Sequence, residues 1–184
     1  MKKLLSIVLV LMIMTTLCGC VRTNNNIDNY TDDIEKYQAN SFMPDLEDIG
    51  EYTDVAYFVR KDEGIFPEYS MQLVVKYGEE EFLKEKERLE SAYTYLDEPQ
   101  KPDWDNTVYI IPIEAFSCAG FNFKIAVFDD TVYPKNFGMV GVADEEYEIA
   151  YLWLYALDLD YICKTDANAV KEMNEFIEYY FNLE

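Results

Sequence analysis

The chain has 184 residues, 36 Asp and Glu against 15 Lys and Arg, and no histidine. That length suits one domain with extras, and a hydrophobic fraction of 50% supplies a core and excludes wholesale disorder. The formal charge of −21 disfavours nucleic acid, whose phosphates are held mainly by Lys and Arg, and the missing histidine removes Ser-His and Cys-His catalysis, histidine zinc sites and histidine pH switches.

Lys2 and Lys3 precede Leu4 to Leu17, fourteen residues of which eleven are apolar and none is charged. The run is shorter than the roughly 20 residues a membrane-spanning helix needs. A basic start, a short apolar run and small residues at its end make the pattern of a secretory signal peptide. Leu17-Cys18-Gly19-Cys20 resembles the bacterial lipobox, with an aliphatic residue three positions before the modified cysteine and a small residue just before it. Cys18 departs from that pattern, standing where Ser, Ala or Thr is more usual. The resemblance implies cleavage of residues 1–19, a diacylglycerol on Cys20 and a place on the outer face of the cytoplasmic membrane. Cleavage takes Lys2 and Lys3 and no acid, leaving a formal charge of −23. No polybasic stretch follows Cys20, so anchoring rests on the acyl chains and not on anionic lipid.

Residues 20–45 then read as the lipidated cysteine and a flexible tether, rich in Asn24, Asn25, Asn26, Asn29 and Asn40 and reaching about 25 Å as a coil. A short helix over Thr31–Gln38 is the alternative. A single domain is expected over 46–184. From Tyr52, Val55, Tyr57 and Val59 alternate against Asp54, Ala56, Phe58 and Arg60, as on a strand. After a loop with Gly64 and Pro67, Met71, Leu73, Val75 and Tyr77 mark a second strand that Gly78 ends. Phe82, Leu89, Tyr93 and Leu96 form a helical stripe interrupted by Lys86, with Glu79, Glu80 and Glu81 in the first turn, where the helix dipole favours acids. Glu85, Glu87 and Glu90 mixed with Lys84 and Arg88 read as its solvated face. Val108–Ile113 reads as an edge strand because of Pro112. Phe121–Val127 and Phe137–Val142 alternate as strands, and Tyr147–Tyr155 becomes apolar on both sides, so it is central or covered by helices. Leu157–Cys163 extends that strand or returns from it, and a last helix near Asp166 carries Val170, Met173, Ile177 and Phe181. The expected fold is α+β, a mainly antiparallel sheet of about five to seven strands with two helices on one face.

Cys118 and Cys163 remain after processing and form either a disulfide, allowed outside the cytoplasm, or two buried thiols. Asp103, Asp105 and Glu114 match part of a calcium-loop pattern, but its sixth position is Val108 instead of Gly, which leaves a weak candidate. Asp129, Asp130, Asp144, Glu145 and Glu146 are candidate carboxylates for a cell-wall-active hydrolase, with no motif to specify them. No phosphate loop, Cys-x-x-Cys pair or nucleophile elbow is present, and no cofactor is implied. Tyr147, Tyr151, Trp153 and Tyr155 share one face of a strand, either as an exposed platform for a ligand or as a tyrosine-rich core. In composition and layout the mature chain is similar to small lipoproteins of Gram-positive-type bacteria. The expected function is a lipid-anchored binding or interaction module whose negative charge selects a basic protein or peptide. The alternatives are the hydrolase and a structural or inhibitory partner of a membrane complex.

Overall fold

The computed structural model describes residues 21–101, 105, 109–110 and 115–183. Strand β1 (Val21–Asn24) leads into a short turn of 3₁₀ helix and then α1 (Tyr30–Lys36). The hairpin β2 (Tyr52–Asp62) and β3 (Glu68–Tyr77) follows, then α2 (Glu79–Ala92) and the two-residue β4 (Thr94–Tyr95). The hairpin β5 (Phe116–Cys118) and β6 (Phe121–Val127), the meander β7 (Asn136–Ala143) and β8 (Glu148–Ala156), and α3 (Ala169–Tyr180) complete the order.

The strands form one sheet in the order β1-β2-β3-β8-β7-β6, with β4 and β5 both on the outer side of β6. Every pairing is antiparallel. The α+β expectation therefore holds, with eight strands and three α-helices among the described residues. The β3–β8 pairing, Glu68 opposite Ala156 through Lys76 opposite Glu148, joins the early hairpin to the late meander. It makes β8 central, with side chains buried on both of its faces.

Helices cover both faces of the sheet, which corrects the expectation of two helices on one. The first face (Tyr57, Val59, Met71, Leu73, Val75, Val140, Tyr151, Trp153) lies under α1, the segment to Ile49, and α2 through Phe82 and Leu89. The second face (Phe121, Phe123, Ile125, Phe137, Met139, Leu152, Leu154) lies under α3 through Met173, Phe176 and Ile177. An apolar stripe says that a helix has a buried side; only the connection decides which side of the sheet receives it. Two glycines of β7 leave room for aromatic rings, one on each face: Phe42 from the covering segment and Phe123 from the neighbouring strand β6. A Cβ on Gly138 would stand 2.5 Å from the Phe42 ring, and one on Gly141 would overlap Phe123.

Residues 21–45 are not a tether. Arg22 and Thr23 pair with Lys61 and Arg60, and Tyr30, Ile34, Ala39, Phe42 and Met43 are buried in the first-face core. The sheet and the first-face core thus include residues from 21–45. The alternative of a short helix over Thr31–Gln38 is the one found, as Tyr30–Lys36, and Tyr30, Ile34 and Tyr37 at i, i+4, i+7 share one side of it. Further differences are local. α2 stops at Ala92, where Tyr93 turns extended and Thr94–Tyr95 pairs with Val127 and Ala126. In α3 the buried stripe is Ala169, Met173, Phe176, Ile177 and Tyr180, while Val170 faces solvent. Residues 157–163 are a turn at 157–158 followed by irregular chain, with Ile162 and Cys163 buried. Of the expected strand Val108–Ile113, Ile110 makes an isolated bridge to Gln100, and 106–108 and 111–114 lie outside the described residues. The C-terminal tail is held by Gln72, whose amide accepts from the Asn182 N–H at 2.9 Å and donates to its carbonyl at 3.1 Å, while Ser70 donates to the Tyr180 carbonyl at 2.6 Å.

Candidate functional site

The four aromatics expected to form a platform do not form one. Tyr151 and Trp153 point to the first face, where α1 and α2 bury them. Tyr147 leaves the strand in left-handed backbone, φ 57°, and its ring meets Phe82 edge-on at 5.5 Å. Tyr155, at the far end of β8, is half-buried and opens on a cleft of about 580 Å³.

That cleft lies where α1 ends against the first face. Tyr37 comes from just past α1, Tyr69 from β3, Tyr155 and Trp153 from β8. Their rings stand in a row: Tyr37 to Tyr69 at 4.7 Å, Tyr69 to Tyr155 at 6.1 Å, Tyr155 to Trp153 at 6.4 Å. The register explains the row, because Tyr69 and Tyr155 are directly paired across β3 and β8. Trp153 is held by its indole N–H donating to Asn136 at 3.0 Å, and Asn136 donates to the Asp130 carbonyl at 2.9 Å. Glu63, Asp130 and Lys36 line the opening. Two ammonium groups already rest on the end ring, Lys36 at 5.1 Å and Lys61 at 5.9 Å from the Tyr37 centroid, and Lys61 also donates to the Tyr37 hydroxyl at 3.2 Å. The Tyr37 phenol raises the Lys36 pKa above its ordinary value, with Asp33 and Glu63 adding to it. Large aromatic area with a few convergent polar groups is the usual makeup of a ligand site.

Of this set the sequence flagged Trp153 and Tyr155. It missed Tyr37, hidden in the supposed tether, and Tyr69, which continues the Met71, Leu73, Val75 alternation by one step.

A second polar cluster sits under α2. Glu85, read as solvated, is buried because it takes the stripe position between Phe82 and Leu89. It receives Arg88 through two bonds, at 2.8 and 2.6 Å, and the Tyr151 hydroxyl at 2.8 Å. Burial, and then Glu85, push the Tyr151 pKa well up. With both carboxylate oxygens engaged, this cluster fixes α2 to β8. It presents no free group to a substrate. A smaller cleft of about 260 Å³ beside the tail is lined by Asp54, Gln72, Lys76 and Glu148, and Lys76 and Glu148 already pair at 2.8 Å.

The acids considered for hydrolysis do not converge. Asp129 and Asp130 lie in the β6–β7 turn, and Asp144, Glu145 and Glu146 lie in the β7–β8 turn. The eight residues of β7 separate the two groups by about 26 Å, against the roughly 5–9.5 Å that glycoside hydrolysis uses. Cys118 and Cys163 are free, buried thiols, the second of the two states the sequence allows. Cys163 reaches the Ala169 carbonyl at 3.5 Å, and burial pushes its pKa up to about 12. Of the calcium candidates, Asp103 and Glu114 lie outside the described residues, as does Cys20. Among the described residues no acid, histidine or cysteine cluster is placed to hold a metal, and no helix is long and apolar enough to cross a membrane.

Fold and cleft together define a three-layer α+β domain, an antiparallel sheet between helices, with an aromatic cleft at one end of its first face. Comparison with protein-family models, curated proteins and solved structures finds no match.

Proposed function

We propose that this chain is a lipid-anchored binding module on the outer face of the cytoplasmic membrane, and that the cleft receives a basic segment of a peptide or protein. The aromatic row carries this reading. Its end ring already holds two lysines, and ring faces attract cations, the more strongly as water is excluded. Glu63 and Asp130 at the opening add acceptors for an arriving Lys or Arg, and the net charge speeds encounter with basic partners. The anchor rests on the lipobox resemblance at Cys20.

Titration calorimetry with a Lys/Arg-rich peptide at low salt tests the cleft. Tyr69→Ala and Tyr155→Ala are expected to weaken binding roughly three- to tenfold, whereas Glu172→Gln on α3 leaves it nearly unchanged. Equal weakening by the remote charge change, or none by the ring removals, would show that surface charge alone attracts the peptide. Cys20→Ser should release the protein from membranes; retention of that variant sinks the anchor.

A further inference from the structure

The position of the anchor relative to the fold has a mechanical consequence. Cys20 is one peptide bond, about 3.8 Å between Cα atoms, from Val21, and Val21 is already in the sheet, paired with Asp62. No linker separates a lipid on Cys20 from the domain. A lipid on Cys20 would therefore bring the Asp62 end of the sheet to the bilayer.

Five exposed apolar side chains lie at that end. Val21 is 49% exposed; Ile65 and Phe66, in the turn joining β2 to β3, are 69% and 59% exposed. Leu157, next after Ala156 of β8, is 49% exposed, and Val132, bridged to Asn136 at the start of β7, is 48% exposed. Ala156 pairs with Glu68 and Asn136 with Tyr155, so the four segments follow one another along the sheet as β1, β2–β3, β8 and β7. At about 4.8 Å per strand they make a row roughly 20 Å long. A soluble surface seldom gathers large apolar residues in this way unless something covers them.

We propose that this end of the sheet rests on the bilayer, with Ile65 and Phe66 sunk into the headgroup–acyl boundary beside the lipid on Cys20. The proposal rests on the lipid-anchor reading and adds a fixed orientation to it. Asp62, Glu63, Asp129, Asp130 and Asp158 flank the row and outnumber Arg22, Lys61 and Lys135 at the same end, so the contact is mainly hydrophobic, and zwitterionic lipid suits it better than anionic lipid. In this orientation the aromatic cleft, whose lining includes Glu63 and Pro67 of the same turn, opens close to the membrane surface.

The test uses the full lipidated protein in phosphatidylcholine vesicles, with and without bromine on the acyl chains. Phe66→Trp places a reporter on the turn, and Leu83→Trp, at an exposed position of α2, serves as the control. Both are read against the native tryptophans of the unsubstituted protein. Phe66→Trp should shift to the blue and lose roughly half its emission to brominated lipid, as expected for a ring about 5–10 Å deep, while Leu83→Trp is unaffected. If the protein floats with the vesicles and Phe66→Trp is quenched no more than Leu83→Trp, the orientation is overturned and the anchor stands. A blue shift that depends on protein concentration and comes without bromine quenching overturns it in favour of a second copy covering the row. If the protein with Cys20 intact fails to float, the anchor itself falls and the orientation with it.

Discussion

The two faces of the sheet solve the same burial problem with different side chains. Among the described residues the first-face core holds Tyr30, Tyr37, Tyr57, Tyr77 and Tyr151 with Phe42 and Phe82. The second holds Phe116, Phe121, Phe123, Phe137, Phe176 and Phe181 with Tyr133 and Tyr180. The covering elements account for the difference. A buried phenol favours a partner, and the first face is roofed by elements rich in acceptors, although the buried Tyr77 hydroxyl has none among the described residues. Tyr30 donates to the Pro44 carbonyl at 2.6 Å, Tyr57 to Asp33 at 2.9 Å, Tyr151 to Glu85 at 2.8 Å, and Tyr93 to the Phe42 carbonyl at 3.2 Å. α3 offers its sheet face mainly apolar side chains (Ala169, Met173, Phe176, Ile177, Tyr180), and phenylalanine predominates beneath it. The abundance of tyrosine is thus largely a property of one core.

The largest effect is expected on the second face. Phe123→Ala removes a fully buried ring beneath Gly141 and should cost about 3–5 kcal/mol, read as a lowered denaturation midpoint in urea. The first face should be most sensitive at a polar atom. Glu85→Ala leaves Arg88 and the Tyr151 hydroxyl without their acceptor and should cost about 2 kcal/mol, less than a fully buried pair because Arg88 is half-exposed. A double-mutant cycle with Tyr151→Phe should show coupling above about 0.5 kcal/mol; additive losses would mean that the cluster contributes nothing as a unit.

These sensitivities also mark what the sequence could show. Strands β2, β3, β6, β7 and β8 and helices α2 and α3 are legible because each repeats apolar residues at period 2 or 3.6 over two turns or more. β1 is not, since four residues give too few repeats to stand out from Asn-rich surroundings, and α1, only seven residues long, is met only by the alternative of a short helix over Thr31–Gln38. Glu85 was misread because charge type overrode position: a carboxylate in the stripe is unexpected until Arg88 and Tyr151 are seen to neutralise and bond it. The aromatic cleft was half legible, because Trp153 and Tyr155 lie on a readable strand while Tyr37 and Tyr69 join them only through tertiary packing.

The smaller predictions concern protons. Burial raises the pKa of Tyr30, Tyr57, Tyr77, Tyr93 and Tyr151 on the first face, and of Tyr133 and Tyr180 on the second. For Tyr95, burial followed by Glu90 takes it to about 12. A phenol held protonated by the fold contributes stability in full below its unfolded value near 10. That contribution is lost as pH rises further, because the unfolded chain then releases the proton first. Stability should therefore be flat through neutral pH and fall above pH ~10, by about 1.4 kcal/mol per pH unit for each such tyrosine. Tyr57→Phe should cost about 1 kcal/mol at neutral pH and make the alkaline fall shallower by one proton. An unchanged slope would place the proton release elsewhere. Smallest in energy is the thiol pair: Cys118 and Cys163 should resist a thiol reagent at pH 8 in the native protein and both react in urea without reductant. Silence in urea would mean that they are bonded.

The β3–β8 pairing and the Gln72 clasp on Asn182 also set the order in which the molecule can be finished. Neither core can close from an N-terminal fragment, because the first face lacks Tyr151 and Trp153 until β8 has been made, and the second lacks its whole roof until α3 has. Native contacts so distant along the chain form late. Both cores are therefore completed by elements from the C-terminal half of the sequence, β8 for the first face and α3 for the second.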